Sequence, residues 1–152
     1  MAITLHTTTS YNLDTDYGPI SVTIRRPTLS EMASLDCVFI ARDKRVRDIQ
    51  KKILAVPGVA EMARKNREDV DIGSLPAEVF DAAEAHELTI DERSSILAIV
   101  KECVKKIDGV DGITTIAELM AADEVYAGAV CGRIAEYEWD DYRNRQVKKT
   151  QL

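Results

Sequence analysis

The feature that most constrains this chain is a change of hydrophobic period at Pro27. Before it, apolar residues alternate every second position; after it, they recur at helical spacing almost to the end. Alternation suits a strand with one buried face, whereas steps of three and four suit a helix with one buried stripe. Ile3 and Leu5 alternate with Thr4 and His6, Tyr11 and Leu13 continue the pattern, and Asp14 to Pro19 has the composition of a turn. Ile20, Val22 and Ile24 then alternate with Ser21, Thr23 and Arg25. The two runs predict an antiparallel hairpin. A lone hairpin is marginal in water, so its apolar face must be covered by helices or by another chain's sheet.

Thr28-Leu29-Ser30-Glu31 reads as a capping box, in which hydroxyl and carboxylate satisfy amides of a first helical turn. Leu29, Met32, Leu35 or Asp36, and Phe39 follow, then Val46, Ile49, Ile53 and Val56 before Pro57-Gly58: two helices, or one broken near Arg42-Asp43. Val59, Met62 and Ala63 suggest a short helix. Glu68 to Leu75 reads as the longest flexible connector and the best proteolysis site. A helix is expected from Pro76 to about His86, with a second capping box at Thr89-Ile90-Asp91-Glu92 opening the next. Ile96, Leu97, Val100, Cys103, Val104 and Ile107 then form a wide apolar face, predicting a central core helix ended by Gly109. After the turn Asp108 to Gly112, a third box at Thr115 to Glu118 opens a last long helix. Leu119, Tyr126, Val130, Ile134 and Tyr137 line its buried side, and Gly128 and Gly132 would let another helix approach closely.

The expected fold is therefore α+β and mostly α: a single domain with an N-terminal antiparallel β-hairpin (1–27), a bundle of about five or six helices (28–143) and a polar tail (144–152). Two Phe and one Trp leave the core to aliphatic residues and alanine, which favours close-packed helices. Cys37, Cys103 and Cys131 are isolated thiols in apolar stretches and read as small buried hydrophobes in a reducing compartment. No stretch approaches the length of a bilayer span, no leader pattern opens the chain, and a cytoplasmic protein without a membrane partner is expected.

A net charge of −6 argues against nonspecific nucleic-acid binding. The charge is unevenly spread: Arg42 to Arg67 holds nine basic residues against three acidic, and Glu68 to Glu92 holds nine acidic and no Lys or Arg. Either two solvated faces attract each other within the monomer, or complementary patches join copies or recruit a charged partner.

Patterns that carry chemistry are missing. Glu84 and His86 point to different sides of a helix, the Asp108 to Gly112 turn has Val110 and Gly112 where a calcium loop needs oxygen ligands, and Cys103 has only Lys105 and Lys106 near it in sequence, on an otherwise apolar helix face. Without a phosphate loop, nucleophile elbow or CxxC, no catalytic residue, metal or cofactor is expected. The C-terminal stretch Tyr137-Glu138-Trp139-Asp140-Asp141-Tyr142 holds the only Trp and two of five Tyr. These aromatics either close the core over the final helix or present a partner surface.

The opening strand pair, the turn into Arg26-Pro27-Thr28-Leu29-Ser30-Glu31-Met32 and the small acidic helical remainder resemble tail assembly chaperones of long-tailed bacteriophages. Val104 to Val110, leading through Thr115 to Glu118-Leu119, is similar to the late helix, short turn and final helix of such proteins. The resemblance implies a non-enzymatic protein of the host cytoplasm that binds aggregation-prone stretches of the tape-measure protein, hands them to tail-tube subunits, and is absent from the finished virion. It carries no catalytic residues. Candidate partner-binding residues are Ile20, Val22 and Ile24 on the hairpin and Trp139 and Tyr142 at the aromatic end, and both modes of binding would also allow homo-oligomers. A permanent structural subunit of a tail or connector, and a helical regulator using Arg42 to Arg67 on nucleic acid, are the alternatives.

Overall fold

A computed structural model describes residues 7–65, 71 and 75–150, with the side chains of 63 and 146–150 set aside. In chain order it contains β1 (Thr8–Thr15), β2 (Gly18–Arg25), α1 (Leu29–Leu54), α2 (Val59–Lys65), α3 (Ala82–Val100), β3 (Val104–Asp108), α4 (Ile116–Ala122) and α5 (Glu124–Thr150). The α+β, mostly α expectation holds, with five helices among the described residues and a sheet of three strands rather than two. The expected alternation at Ile3, Leu5 and His6 lies outside the described residues, as does most of the Glu68 to Leu75 connector.

The hairpin forms as its alternation requires. β1 and β2 pair antiparallel from Thr8↔Arg25 to Thr15↔Gly18, leaving Asp16-Tyr17 as a two-residue connection. Gly18 sits at φ +109°, a conformation that disfavours side chains with a Cβ. Leu13, Ile20, Val22 and Ile24 project from one face into the core, and the opposite face carries Ser10, Asn12, Ser21 and Thr23, with the Ser10 and Thr23 hydroxyls 2.9 Å apart.

The third strand was hidden inside a helical pattern. The stripe through Ile96, Leu97, Val100, Cys103, Val104 and Ile107 predicts one helix, but α3 stops at Val100, where the Cys103 amide turns back onto the Val100 carbonyl. Val104–Asp108 then pairs with the free side of β2, in register from Ser21↔Asp108 to Ile24↔Val104 with an irregularity between Thr23 and Ile24. The physical reason is that Val104 and Ile107, three apart, share a face in a helix, and in β3 they share one only because the irregularity takes up one residue and sets Val104 opposite Ile24 and Ile107 opposite Val22; the unpaired backbone of β2 decides between the two. Gly109 therefore ends a strand rather than a helix. At φ +104°, a Cβ there would lie 2.8 Å from the Pro19 carbonyl oxygen.

The chain divides into two compact units, Met1–Cys37 with Arg93–Leu152, and Val38–Glu92. The first unit holds the sheet and nearly the whole buried core: the sheet's apolar face, Met32 and Leu35 of α1, Ile96, Leu97 and Val100 of α3, Leu119 of α4, and Val130, Cys131, Ile134 and Trp139 of α5. Two tethers fix the hairpin to the C-terminal helices within it. At the tip, Tyr17 meets Tyr126 edge to face at 4.9 Å and Arg133 donates to the Asp14 carbonyl at 2.6 Å; at the base, Tyr11 and Arg26 both donate to Glu138.

Helix boundaries follow the caps, with two corrections. α1 is a single helix through Arg42-Asp43, opened by the predicted box: Thr28 Oγ1 accepts from the Glu31 amide at 3.1 Å while the Glu31 carboxylate accepts from the Thr28 amide at 2.9 Å. Thr115 caps α4, its Oγ1 accepting from the Glu118 amide at 3.2 Å, while the Glu118 carboxylate accepts from the Thr115 hydroxyl; that helix ends at Asp123, whose carboxylate accepts from the Tyr126 amide and starts α5 as a separate helix. Thr89 opens no helix. α3 is continuous through it, its hydroxyl donates to the Ala85 carbonyl, and the cap is Asp81, which accepts from the amides of Ala83 and Glu84. α5 continues to Thr150, through most of the stretch read as a polar tail.

Candidate partner-binding surfaces

The hairpin candidates lie on the covered side of the sheet. Ile20, Val22 and Ile24 are buried, with Val22 and Ile24 fully so, and the helices of the same unit provide the cover that the sequence left open between helices and another chain. This apolar face is therefore not free to take a partner. β1 remains an edge strand, and the Asp14 carbonyl on that edge is already taken by Arg133.

At the aromatic end the core-closing alternative accounts for Trp139. It is 7% exposed, its indole N–H donates to Asp36 Oδ1 at 2.7 Å, and the Arg143 guanidinium lies 4.9 Å from the ring centroid. The ambiguity between Leu35 and Asp36 resolves the same way: Leu35 is buried, and Asp36 beside it receives the indole. Tyr142 is half-buried, and Tyr137 is exposed on one side while it stacks on Tyr11 at 5.5 Å.

Beneath that stack is Glu138, 2% exposed and missed as a special position because its partners are distant in sequence. Its Oε1 accepts from the Tyr11 hydroxyl at 2.5 Å, and Arg26 donates to both carboxylate oxygens at 3.1 and 3.2 Å. Burial, and then the adjoining carboxylate, push the Tyr11 phenol above its usual range. A second ion pair joins Arg25 to Glu31 through two bonds of 2.6 and 3.0 Å, and it holds the Glu31 carboxyl down at about 2. Burial drives the Cys103 thiol up to about 11 and the Cys131 thiol up to about 12, so both thiols stay protonated near neutrality. Cys37, expected to be buried, is exposed.

The second unit is built differently. Among its described residues, Phe39 is the one large apolar side chain in the fully buried core, while Ile40, Val46, Leu54, Met62, Leu88 and Ile90 are each between 36% and 50% exposed. Ile49, Ile53, Val56, Val79 and Phe80 are half-buried. An ion pair joins the basic block to the acidic one here, Arg45 to Glu92 at 3.0 Å. Between α1 and the 77–88 segment runs a groove of about 400 Å³ with an apolar floor that includes Ile49, Val79, Phe80 and Leu88. Lys44, Asp48 and Lys52 rim it on α1, and Glu78, Asp81 and Glu84 rim it on the other side. No helix among the described residues is long and apolar enough to cross a membrane. Gly128 and Gly132, expected to admit a helix, have nothing within 4 Å of where a Cβ would stand.

Comparison with family models, with curated proteins and with solved structures finds no match to this chain.

Proposed function

We propose that this chain is a non-enzymatic assembly chaperone of long-tailed bacteriophages, binding tape-measure and tail-tube proteins in the host cytoplasm during tail morphogenesis. The observation that carries the reading is the second unit. Six large aliphatic or thioether side chains among its described residues are between a third and a half exposed, and we read them as one surface for a partner. A chaperone needs such a surface, because it must cover apolar segments of a partner reversibly. The resemblance of the strand pair, the Arg26 to Met32 turn and the acidic helical remainder supplies the identity of the partner.

The test is co-expression with a tape-measure protein. The reading expects the chain to keep that protein soluble, to co-purify with it and to be missing from finished particles. A tape-measure protein that aggregates equally with and without the chain contradicts it, and recovery of the chain at fixed stoichiometry in particles favours a structural subunit instead.

A further inference from the structure

We infer that the groove between α1 and the 77–88 segment is a directional seat for a partner α-helix, one carrying an apolar stripe, acidic residues along one flank and basic residues along the other. The inference rests on the reading of the second unit as a partner-binding surface and specifies what occupies it.

Two features select a helix. The floor of Ile49, Val79, Phe80 and Leu88 is apolar, and the long wall is α1, whose backbone groups are bonded along the helix. An extended peptide laid along α1 would find no backbone partners on that wall, whereas a helix satisfies its own N–H and C=O groups. The wall from Ala41 to Lys52 is about 16 Å long at 1.5 Å per residue, which matches about three turns of an occupant.

The rims specify the flanks. Lys44, Asp48 and Lys52 follow one another at intervals of four along α1, and no ion pair among the described residues engages either lysine. They therefore offer two cationic points about 12 Å apart. Opposite them stand Glu78, Asp81 and Glu84; Asp81 is engaged in capping α3, and Glu78 and Glu84 remain for a partner. Arg45 is held by Glu92 and belongs to the wall itself. An isologous contact of two copies through this groove would set one concave surface against another, and we assign the seat to a convex helix of a different protein.

A helix with unlike flanks has a direction in such a seat, since reversing its N-to-C sense exchanges the flanks. The probe is an 18-residue helical peptide with leucines at three- and four-residue steps, two glutamates eight positions apart on one flank and lysines on the other. A second peptide has the flanks exchanged, and a third has glutamate on both. With the full chain, the first two are expected to shift amide resonances of Ile49, Phe80 and Leu88. A spin label on their N-termini should broaden signals near Lys44 for one peptide and near Lys52 for the other. The third peptide, and the first peptide against Lys44→Glu/Lys52→Glu, should bind about ten-fold more weakly. Glu78→Lys/Glu84→Lys should weaken the first peptide similarly, which covers the case in which the α1 variant misfolds.

Equal affinity for all three peptides, the same label position for both directions, or shifts confined to the sheet would overturn the assignment. So would a concentration-dependent dimer of the free chain with this groove in its interface. If the peptides fail while a tail protein is still captured, the partner binds elsewhere; if capture also fails, the functional reading falls with it.

Discussion

Arg26 and Glu138 are unequal partners. Glu138 is buried, while the Arg26 side chain is about half exposed and reaches water. Removing the arginine leaves a buried carboxylate with the Tyr11 hydroxyl as its donor among the described residues; neutralising the carboxylate leaves an arginine that rehydrates and a side chain that still accepts from Tyr11. Arg26→Ala should therefore lower the unfolding free energy by about 2–3 kcal/mol, and Glu138→Gln by about 1 kcal/mol, in denaturant titrations. Equal losses would contradict this account. Glu31 gives a prediction in pH. Its carboxyl falls from 4.5 to about 2 in the fold, chiefly through Arg25, so the folded state binds the proton less readily than the unfolded chain. The stability it adds is complete above pH 4.5 and is lost as pH falls towards 2. Glu31→Gln should flatten the pH dependence of stability in that window and leave its slope near pH 7 unchanged. The box of Thr28 and Glu31 was legible in the sequence because capping is local. Glu138 was not, because Tyr11 and Arg26 lie 127 and 112 positions away.

At the scale of elements, the sequence marked starts better than types. Pro27 and the caps at Thr28 and Thr115 gave true helix starts, since each hydroxyl accepts from the amide three residues on, and at Thr28 the Glu31 carboxylate returns the bond. The same signal at Thr89 misled, because the helix already running from Ala82 leaves no free amides there to cap. β3 was misread because Val104 and Ile107 also extend the helical stripe of α3, and the choice was made by β2, far earlier in the chain. Two glycines test this geometry. Gly109→Ala should destabilise by about 1–3 kcal/mol, since it combines a positive φ with a Cβ clash against the β2 backbone. Gly132→Ala, inside α5 with open space around it, should stabilise by about 0.5–1 kcal/mol. Paired thermal melts check both. A tolerated Gly109→Ala would argue against the pairing of β3 with β2, and a destabilising Gly132→Ala would mean that the position is crowded.

At the scale of the whole molecule, the first unit holds nearly all of the buried core, whereas the aliphatic side chains described in the second are half-buried or a third to a half exposed. The charge blocks from Arg42 to Glu92 were visible in the sequence, but the placing of Lys44 and Lys52 across one groove from Glu78 and Glu84 depends on how α1 and the 77–88 segment pack, which composition does not encode. The hairpin face was a reasonable partner candidate by its alternation, yet alternation reports only that a face is buried and not by what. The most direct measurement is capture with the tagged full chain from cells expressing the other genes of its native cluster. The recovered proteins and the purified particles would both be quantified by mass spectrometry. The account predicts recovery of a long, helix-rich tape-measure protein by the wild-type chain, weaker recovery by Lys44→Glu/Lys52→Glu, and no chain in the particles. Recovery of no tail protein, or the chain present at fixed stoichiometry in finished particles, would contradict it.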